Sequence, residues 1–360
     1  MSTRASRDES LARGDLMKAL LFEGPNRMEV REVPIPAVRE GDLLVKVVAC
    51  LICGTDMRIC RGKKTKDVRI PSILGHEFSG IIADTGGKVE GFNVGEAVSI
   101  APVVPCLICY HCKHGQENVC LNRTAFGYEY DGAFAEYVRI PAVVIRSGNV
   151  YPAPSGVDLE GLALAEPLAC CINGHGNSPV KLRDTVVVMG AGPIGLMHLM
   201  LAKQSGAKVI VSEPSEQRRD VALNLGADLV VDPTAEDLLS IVMENTGGVG
   251  ADVVILAIGV PALVNQAIEL ARKRAWVNLF AGFSIGDMPP IDVNKIHYKE
   301  VRITGTSASS RKDHEVAINL IANRIIDPSK IITHKYPLSQ ADEAFGIAEA
   351  GVGIKVAIIP

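Results

Sequence analysis

Four cysteines fall within one short segment, Cys106, Cys109, Cys112 and Cys120, spaced C-x2-C-x2-C-x7-C. Thiolates this close in a turn-rich stretch suit a closed tetrahedral Zn²⁺ site, in which no coordination position is left for chemistry. An iron–sulfur cluster opens with similar spacing, but typically steps quickly to a fourth cysteine followed by proline. Here seven residues intervene and Leu121 follows Cys120, which favours zinc in a structural role. His111 and His114 lie inside the lobe, but four cysteines already complete a shell.

A second set is dispersed: Cys53 in Cys-Gly-Thr-Asp, His76-Glu77 after Gly75, and Glu166 before Pro167. Singly, each has an ordinary explanation. A lone histidine in an apolar run is more often a satisfied core residue, and Glu-Pro commonly opens a helix. Together they offer one thiolate, one imidazole and one or two carboxylates, the donor set of an open catalytic zinc site.

A third signal is the turn Gly190-Ala-Gly192-Pro193-Ile194-Gly195. GxGxxG alone is weak, but this one follows an apolar strand, Thr185–Met189, and opens a helix. The glycines permit a tight turn, close backbone approach to a pyrophosphate, and close helix–strand packing; the helix N-terminus faces the phosphates. Glu213, at the end of the second strand, stands where a carboxylate accepts hydrogen bonds from the adenosine ribose and repels a 2′-phosphate. That favours NAD over NADP. Arg218 and Arg219 follow closely and can accommodate a phosphate, which weighs the other way. Thr306, after the last strand of this region, is counted with the cofactor contacts.

Two kinds of element must position these residues. From Met17 to Val150, short β-like runs (18–22, 42–49, 78–84, 97–100 and 133–140) alternate with Gly and Pro, the rhythm of an irregular β-rich domain. After Pro179 the pattern changes to strands 185–189, 208–212, 229–231, 252–257, 276–280 and 301–305. Helices 195–204, 215–225, 235–245 and 261–270 fall among them. Strand and helix alternating at this length mean βαβ units on a parallel sheet. From Arg311 the character is mixed again, with helices near 313–323 and 339–350 and a strand at 354–359 expected to rejoin the first domain.

Composition narrows the classes. The chain has 360 residues and a formal net charge of −4, with one Trp. The length suggests about two domains, and the balance argues against nucleic acid or an anionic membrane as partner. No long apolar run reads as a membrane span. Nine cysteines are an odd number, and the first sixteen residues contain no apolar signal region. Reduced thiols in a cytoplasmic setting fit better than a disulfide framework.

In Cys53-Gly-Thr55-Asp56, Gly75-His76-Glu77, the four-cysteine lobe, Glu166-Pro167 and the glycine-rich turn, in that order, the chain resembles the zinc-dependent medium-chain dehydrogenase/reductase superfamily. Within it the chain most resembles the polyol (sorbitol-type) dehydrogenases together with the threonine 3-dehydrogenases. The resemblance covers Met17 to Pro360. It implies an α/β architecture: a GroES-like β-rich catalytic domain (17–167 and 311–360, with the zinc lobe at 103–122) split around a Rossmann doubly wound parallel-sheet domain (168–310), NAD lying in the cleft. Residues 1–16 would be a flexible extension. It further implies two Zn²⁺ per chain, one catalytic and one structural. Cys53 and His76 would be catalytic zinc ligands. Glu77 and Glu166 would bind zinc directly, exchange with each other, or act through its water. Asp56 would fix the tautomer of His76, and Thr55 would stand in the relay that removes the substrate proton.

Two positions depart from the family pattern. Arg58 stands where many relatives carry a relay histidine, and a guanidinium cannot shuttle a proton. Either the relay leaves through ribose hydroxyls and water, or Arg58 serves phosphates of the cofactor or an anionic substrate. Thr306-Ser307-Ala308-Ser309 replaces an Arg-Tyr pair expected against substrate hydroxyls. Cys50, Cys60, Cys170 and Cys171 are read as packing residues. The expectation is an NAD-dependent zinc oxidoreductase acting on a secondary alcohol of a four- to six-carbon polyol, as a homo-oligomeric dimer or tetramer. L-threonine 3-dehydrogenase or a simple secondary-alcohol or diol dehydrogenase is the alternative on the same machinery. A non-catalytic nucleotide or zinc sensor is the alternative of another class.

Overall fold

The computed structural model describes residues 14–284, 286–289 and 291–360. Residues 1–13 of the expected extension lie outside them, and Leu16 already begins strand Leu16–Gly24. The chain divides into two compact units, one running to Ala169 and resuming over Ser309–Pro360, the other spanning Cys170–Ala308.

The first unit is built on strand Leu43–Leu51, an almost continuous apolar run buried on both faces. It pairs antiparallel with Glu77–Thr85 on one side and with Lys355–Ile359 on the other. The sheet runs Val150–Pro152, Ala97–Ile100, Glu77–Thr85, Leu43–Leu51, Lys355–Ile359, Ile332–Pro337, and Tyr137–Ile140 also pairs with Leu43–Leu51. A smaller sheet joins Arg27–Pro34, Leu16–Gly24 and Ser72–Ile73. The core between them includes Phe22, Phe78, Phe126 and Phe134, with Phe78 and Phe126 edge to face at 5.6 Å.

Strand register decides which residues gather at one end of the larger sheet. Leu51 is opposite Glu77 on one neighbour and Ala357 on the other. Two-residue alternation then places Cys53, Glu77 and Lys355 at the same end.

The second unit carries six parallel strands in the order Leu229–Val231, Lys208–Ser212, Thr185–Met189, Ala251–Leu256, Ala271–Leu279, Arg302–Gly305. Numbered along the chain this is 3-2-1-4-5-6, the doubly wound dinucleotide-binding order. Among the described residues, no helix is long and apolar enough to cross a membrane.

Some boundaries differ from those read in the sequence, for local reasons. The helix expected from 235 starts at Leu238, because Asp237 accepts the Leu239 N–H as its cap. The helix expected at 313 starts at Arg311, set by a Ser310/Asp313 capping box. Strand Ala271–Leu279 extends well upstream of 276. Strand Arg27–Pro34, unread in the sequence, is charged and largely exposed; it folds back on Leu16–Gly24 through Asn26 at φ +60°.

Candidate metal and cofactor sites

Cys53 is the N-cap of helix Gly54–Cys60. Asp56 closes the cap by accepting the Cys53 N–H on Oδ2 at 2.9 Å, and its other oxygen stands 3.4 Å from His76 Nδ1. One buried carboxylate therefore closes the thiol-bearing turn and stands beside the imidazole. His76 reaches the site through Gly75, whose φ of +93° leaves no room for a side chain: a Cβ there would lie 2.7 Å from Cys50 Sγ. Burial pulls the His76 imidazole toward neutrality, but the charges of Asp56 and Cys53 outweigh it and hold its pKa well above the ordinary value.

Ligand atoms of Cys53, His76 and Glu77 all lie within 4.8 Å of one another. Glu166, in the first turn of helix Ala165–Asn177, is buried but stands outside that trio. Sequence reasoning missed Lys355. Its Nζ meets the Glu77 carboxylate at 2.6 and 2.8 Å, both side chains being buried. Burial disfavours the ammonium, yet Glu77, Cys53 and Glu166 together push its pKa upward. Glu166 is thus felt at the site through Lys355. Tyr128 was also missed; its ring lies 6.2 Å from that of His76. Thr55 follows in the first turn of the helix, half-buried.

The four lobe cysteines also gather within 4.8 Å. Cys109 Sγ is 3.5 Å from Cys112 Sγ and 3.8 Å from Cys120 Sγ. A tetrahedron with Zn–S of about 2.3 Å has S···S edges near 3.8 Å, so the sulfurs are spaced for zinc. Backbone N–H groups of Cys106 and Asn122 point at Cys120 Sγ. Amides facing Cys106, that of Ile108 foremost, lower its thiol to about 6. All nine cysteines are free. The lobe is tied down by Arg311, whose guanidinium grips both oxygens of Glu117 and the Ser147 carbonyl.

In the second unit, Gly192 caps helix Pro193–Gln204, with Pro193 in its first turn and Ile194 beside it. A Cβ on Gly195 would fall 1.9 Å from the Gly190 carbonyl oxygen, so turn and helix approach closely only because glycine is there. A Cβ on Gly192 would meet nothing within 4 Å, leaving open space over the helix N-terminus. Glu213 is buried at the end of strand Lys208–Ser212. Its carboxylate accepts the Ala191 N–H at 2.7 Å and the Ser215 N–H at 3.0 Å, which ties the acid to the turn. Arg219 donates to the carbonyls of Glu213 and Pro214 and pairs with Asp232 at 3.2 Å. Arg218 is half-buried in the first turn of helix Glu216–Asn224. The Thr306 hydroxyl is already engaged, donating to Asn278 and accepting from Asn177.

Both donor sets fit zinc, and the glycine-rich turn fits a dinucleotide pyrophosphate. Comparisons with known proteins agree. Residues 39–149 match the alcohol dehydrogenase GroES-like domain, and residues 193–323 match the zinc-binding dehydrogenase domain. The chain is 36% identical to D-arabitol-phosphate dehydrogenase of Enterococcus avium over 95% of this chain and 97% of that one. It is 36% identical to L-threonine 3-dehydrogenase of Pyrococcus furiosus over 91% and 94%. A zinc-binding dehydrogenase structure from Sinorhizobium meliloti 1021, bound to NADP, superposes with a TM-score of 0.90 at 34% identity, covering 96% of this chain and all of that one.

Proposed function

This chain belongs to the zinc-dependent medium-chain dehydrogenase/reductase superfamily, in its polyol and threonine dehydrogenase branch, and from that premise we propose an NAD-dependent dehydrogenase of small polyols. It is an oxidoreductase of the NAD(P)-dependent alcohol dehydrogenase kind. The proposed reaction oxidises a secondary alcohol of a four- to six-carbon polyol to the ketose and transfers hydride to nicotinamide. The observation that carries it is the meeting of a thiol, an imidazole and a carboxylate from Cys53, His76 and Glu77.

Cys53 and His76 would hold the catalytic zinc, with Glu77 and Glu166 as the carboxylates that bind it or exchange on it. Zinc, when bound, acts as a Lewis acid that eases loss of the alcohol proton. Asp56 orients the imidazole through Nδ1. Thr55 takes the hydroxyl proton, which leaves through ribose hydroxyls and water because Arg58 stays protonated. Lys355 fixes the carboxylate of Glu77 and balances its charge. Cys106, Cys109, Cys112 and Cys120 would hold a second, structural zinc.

Gly190, Gly192, Pro193, Ile194 and Gly195 would cradle the pyrophosphate, with Glu213 on the ribose and Arg218 and Thr306 nearby. The buried Glu213 carboxylate supports NAD, since a 2′-phosphate beside it would meet like charge. The NADP in the Sinorhizobium relative weighs against this assignment. We further propose a homo-oligomer, dimer or tetramer, joined through strand Arg302–Gly305, which ends its sheet with one edge unpaired among the described residues.

The Pyrococcus relative supports a second reading, oxidation of L-threonine at C3. An initial-rate panel of tetritols, pentitols, hexitols, 2,3-butanediol and L-threonine with NAD and NADP decides between them. Polyol-dependent NADH formation that is lost on chelation and in Cys53→Ser is the expected result. Zinc-loaded protein that reduces neither cofactor with any of these would overturn the enzyme assignment and leave a non-catalytic sensor.

A further inference from the structure

We infer that Tyr128 is a specificity-determining residue whose phenol O–H donates to a second oxygen of the substrate, beside the reacting hydroxyl. Lys64 is the positioning residue that holds the phenol for this. The inference rests on the alcohol-oxidising reading above and narrows its substrate class to vicinal diols and longer polyols.

A half-buried tyrosine on a turn is ordinarily a packing residue with its hydroxyl in water. The turn that carries Tyr128, however, is fastened along the chain leading to His76. Backbone N–H groups of Gly132, Ala133 and Phe134 donate to the carbonyls of Ile73, Gly75 and Leu74 at 2.7, 2.9 and 3.0 Å. Gly127, at φ +76°, donates to the Tyr130 carbonyl at 2.9 Å, and a Cβ there would stand 3.4 Å from the Gly75 nitrogen. Glu129 accepts the Ala125 N–H at 2.8 Å, which closes the turn from its other side. The Tyr128 ring is thereby brought 6.2 Å from that of His76, tilted by 54°, within the range of aromatic contact. His76 is one of the three residues whose ligand atoms gather at the proposed catalytic metal site.

The phenol is also held at its oxygen. Lys64 Nζ donates to Tyr128 Oη at 2.7 Å. The segment bearing Lys64 is fixed in turn: the N–H groups of Lys63 and Lys64 donate to the Arg58 carbonyl at 2.8 and 3.2 Å, and the Arg69 N–H donates to the Tyr128 carbonyl at 3.3 Å. An ammonium has donors only, so the phenol oxygen is the acceptor in this contact and its own proton is not spent on Lys64. A phenol that accepts a charge-assisted bond is polarised toward donating its own. The result is an oriented O–H donor next to His76, and its complement is an oxygen with a lone pair. A substrate whose reacting hydroxyl lies at Cys53, His76 and Glu77 presents such an oxygen on the adjoining carbon when it is a vicinal diol. A simple secondary alcohol presents a methylene or methyl group there and leaves the phenol proton unpaired, which is how a site built for a hydroxyl rejects an analogue that lacks it.

The test uses zinc-loaded full-length protein with two pairs of equal carbon skeleton, 2,3-butanediol with 2-butanol and D-arabitol with 2-pentanol. The expected result is a kcat/KM about 10- to 100-fold higher for the polyhydroxy member of a pair, the worth of one or two hydrogen bonds. Tyr128→Phe keeps the ring and removes only the oxygen; it should reduce that ratio about 10-fold, mainly through KM. Lys64→Met should reduce the ratio as well, and Lys64→Arg, which still donates to the phenol, should restore it. A general structural defect lowers both members of a pair together and is not rescued by arginine. Equal kcat/KM within the pairs, or an unchanged ratio in Tyr128→Phe, overturns the inference. So does a Tyr128→Phe protein that binds zinc more weakly without moving the ratio, an outcome that makes Tyr128 a support for His76. If no polyol of the panel above is oxidised, the polyol reading fails. Saturation-transfer NMR then decides the oxygen site: transfer to 2,3-butanediol that exceeds transfer to 2-butanol in the wild type and is lost in Tyr128→Phe supports it, and equal transfer overturns it.

Discussion

Lys355 and Glu77 form an ion pair almost wholly removed from water, with contacts of 2.6 and 2.8 Å and side-chain exposures of 5% and 1%. The pair is made by sheet register: Leu51 brings the strands of both residues to its two sides. It gives Glu77, next to a proposed zinc ligand, a fixed cationic partner inside the protein.

Removing one member of a buried pair leaves the other charge uncompensated, at a cost of about 3–5 kcal/mol. Lys355→Met should therefore lower unfolding free energy by about that amount. Lys355→Met/Glu77→Leu should recover much of the loss, because no lone charge remains. Urea denaturation of the zinc-loaded proteins measures both. A single-variant loss below about 1 kcal/mol would mean that water reaches the pair.

Metal analysis should find two zinc ions per chain. Cys112→Ser should leave one and loosen the lobe to proteolysis, while Cys53→Ser should leave the other and abolish turnover. Retention of two ions in Cys112→Ser would show that the lobe cysteines do not hold zinc.

Glu213→Ala should raise KM for NAD by roughly 10- to 100-fold, the worth of charge-assisted hydrogen bonds to the ribose. The same change should relieve repulsion of a 2′-phosphate and improve NADP. Steady-state kinetics with both cofactors reads this. An unchanged NAD/NADP ratio would remove Glu213 from cofactor choice.

Three histidines, the buried His198 and His314 and the half-buried His175, contribute to the acid response. Burial lowers His314 to about 3 and His175 to about 4, and takes His198 well below its ordinary 6.5. Below pH 6.5 the unfolded chain binds protons that the folded chain refuses. Stability is full above that pH and falls as pH drops toward 4 and 3, with each histidine contributing a slope of about 1.4 kcal/mol per pH unit. Denaturation between pH 5 and 6 should show a slope shallower by about that amount in His314→Gln. A parallel slope would show that His314 takes up its proton in the folded state.

Much of the architecture was legible because it is written in local pattern. The alternation of apolar strands with helices after Pro179 announces a parallel sheet, and each strand named there is found in it. The spacing of Cys106, Cys109, Cys112 and Cys120 predicts that the four thiols gather, and their sulfurs are found together. The dispersed trio was legible as a donor set from its residue types, but nothing in its spacing shows that Cys53 and His76 meet, since the pairing of strands brings them together. Lys355 carried no signal at all. A single lysine before Val-Ala-Ile-Ile reads as an ordinary strand-end cation, and only the cross-strand register shows that it is buried on Glu77. Tyr128 was missed for a different reason, being placed by a turn rather than by a periodic element.

The distance along the chain between Glu77 and Lys355 is 278 residues. At roughly 5–20 residues per second, a ribosome takes about 14–56 s to travel from one to the other. Through that interval Cys53, His76 and Glu77 have emerged without the strand that supplies their cation. The dinucleotide-binding unit, whose residues lie wholly within the interval, can fold before the older half of the molecule is finished. In the nascent protein every residue of the dinucleotide-binding unit is therefore synthesised before Lys355 completes the surroundings of Glu77.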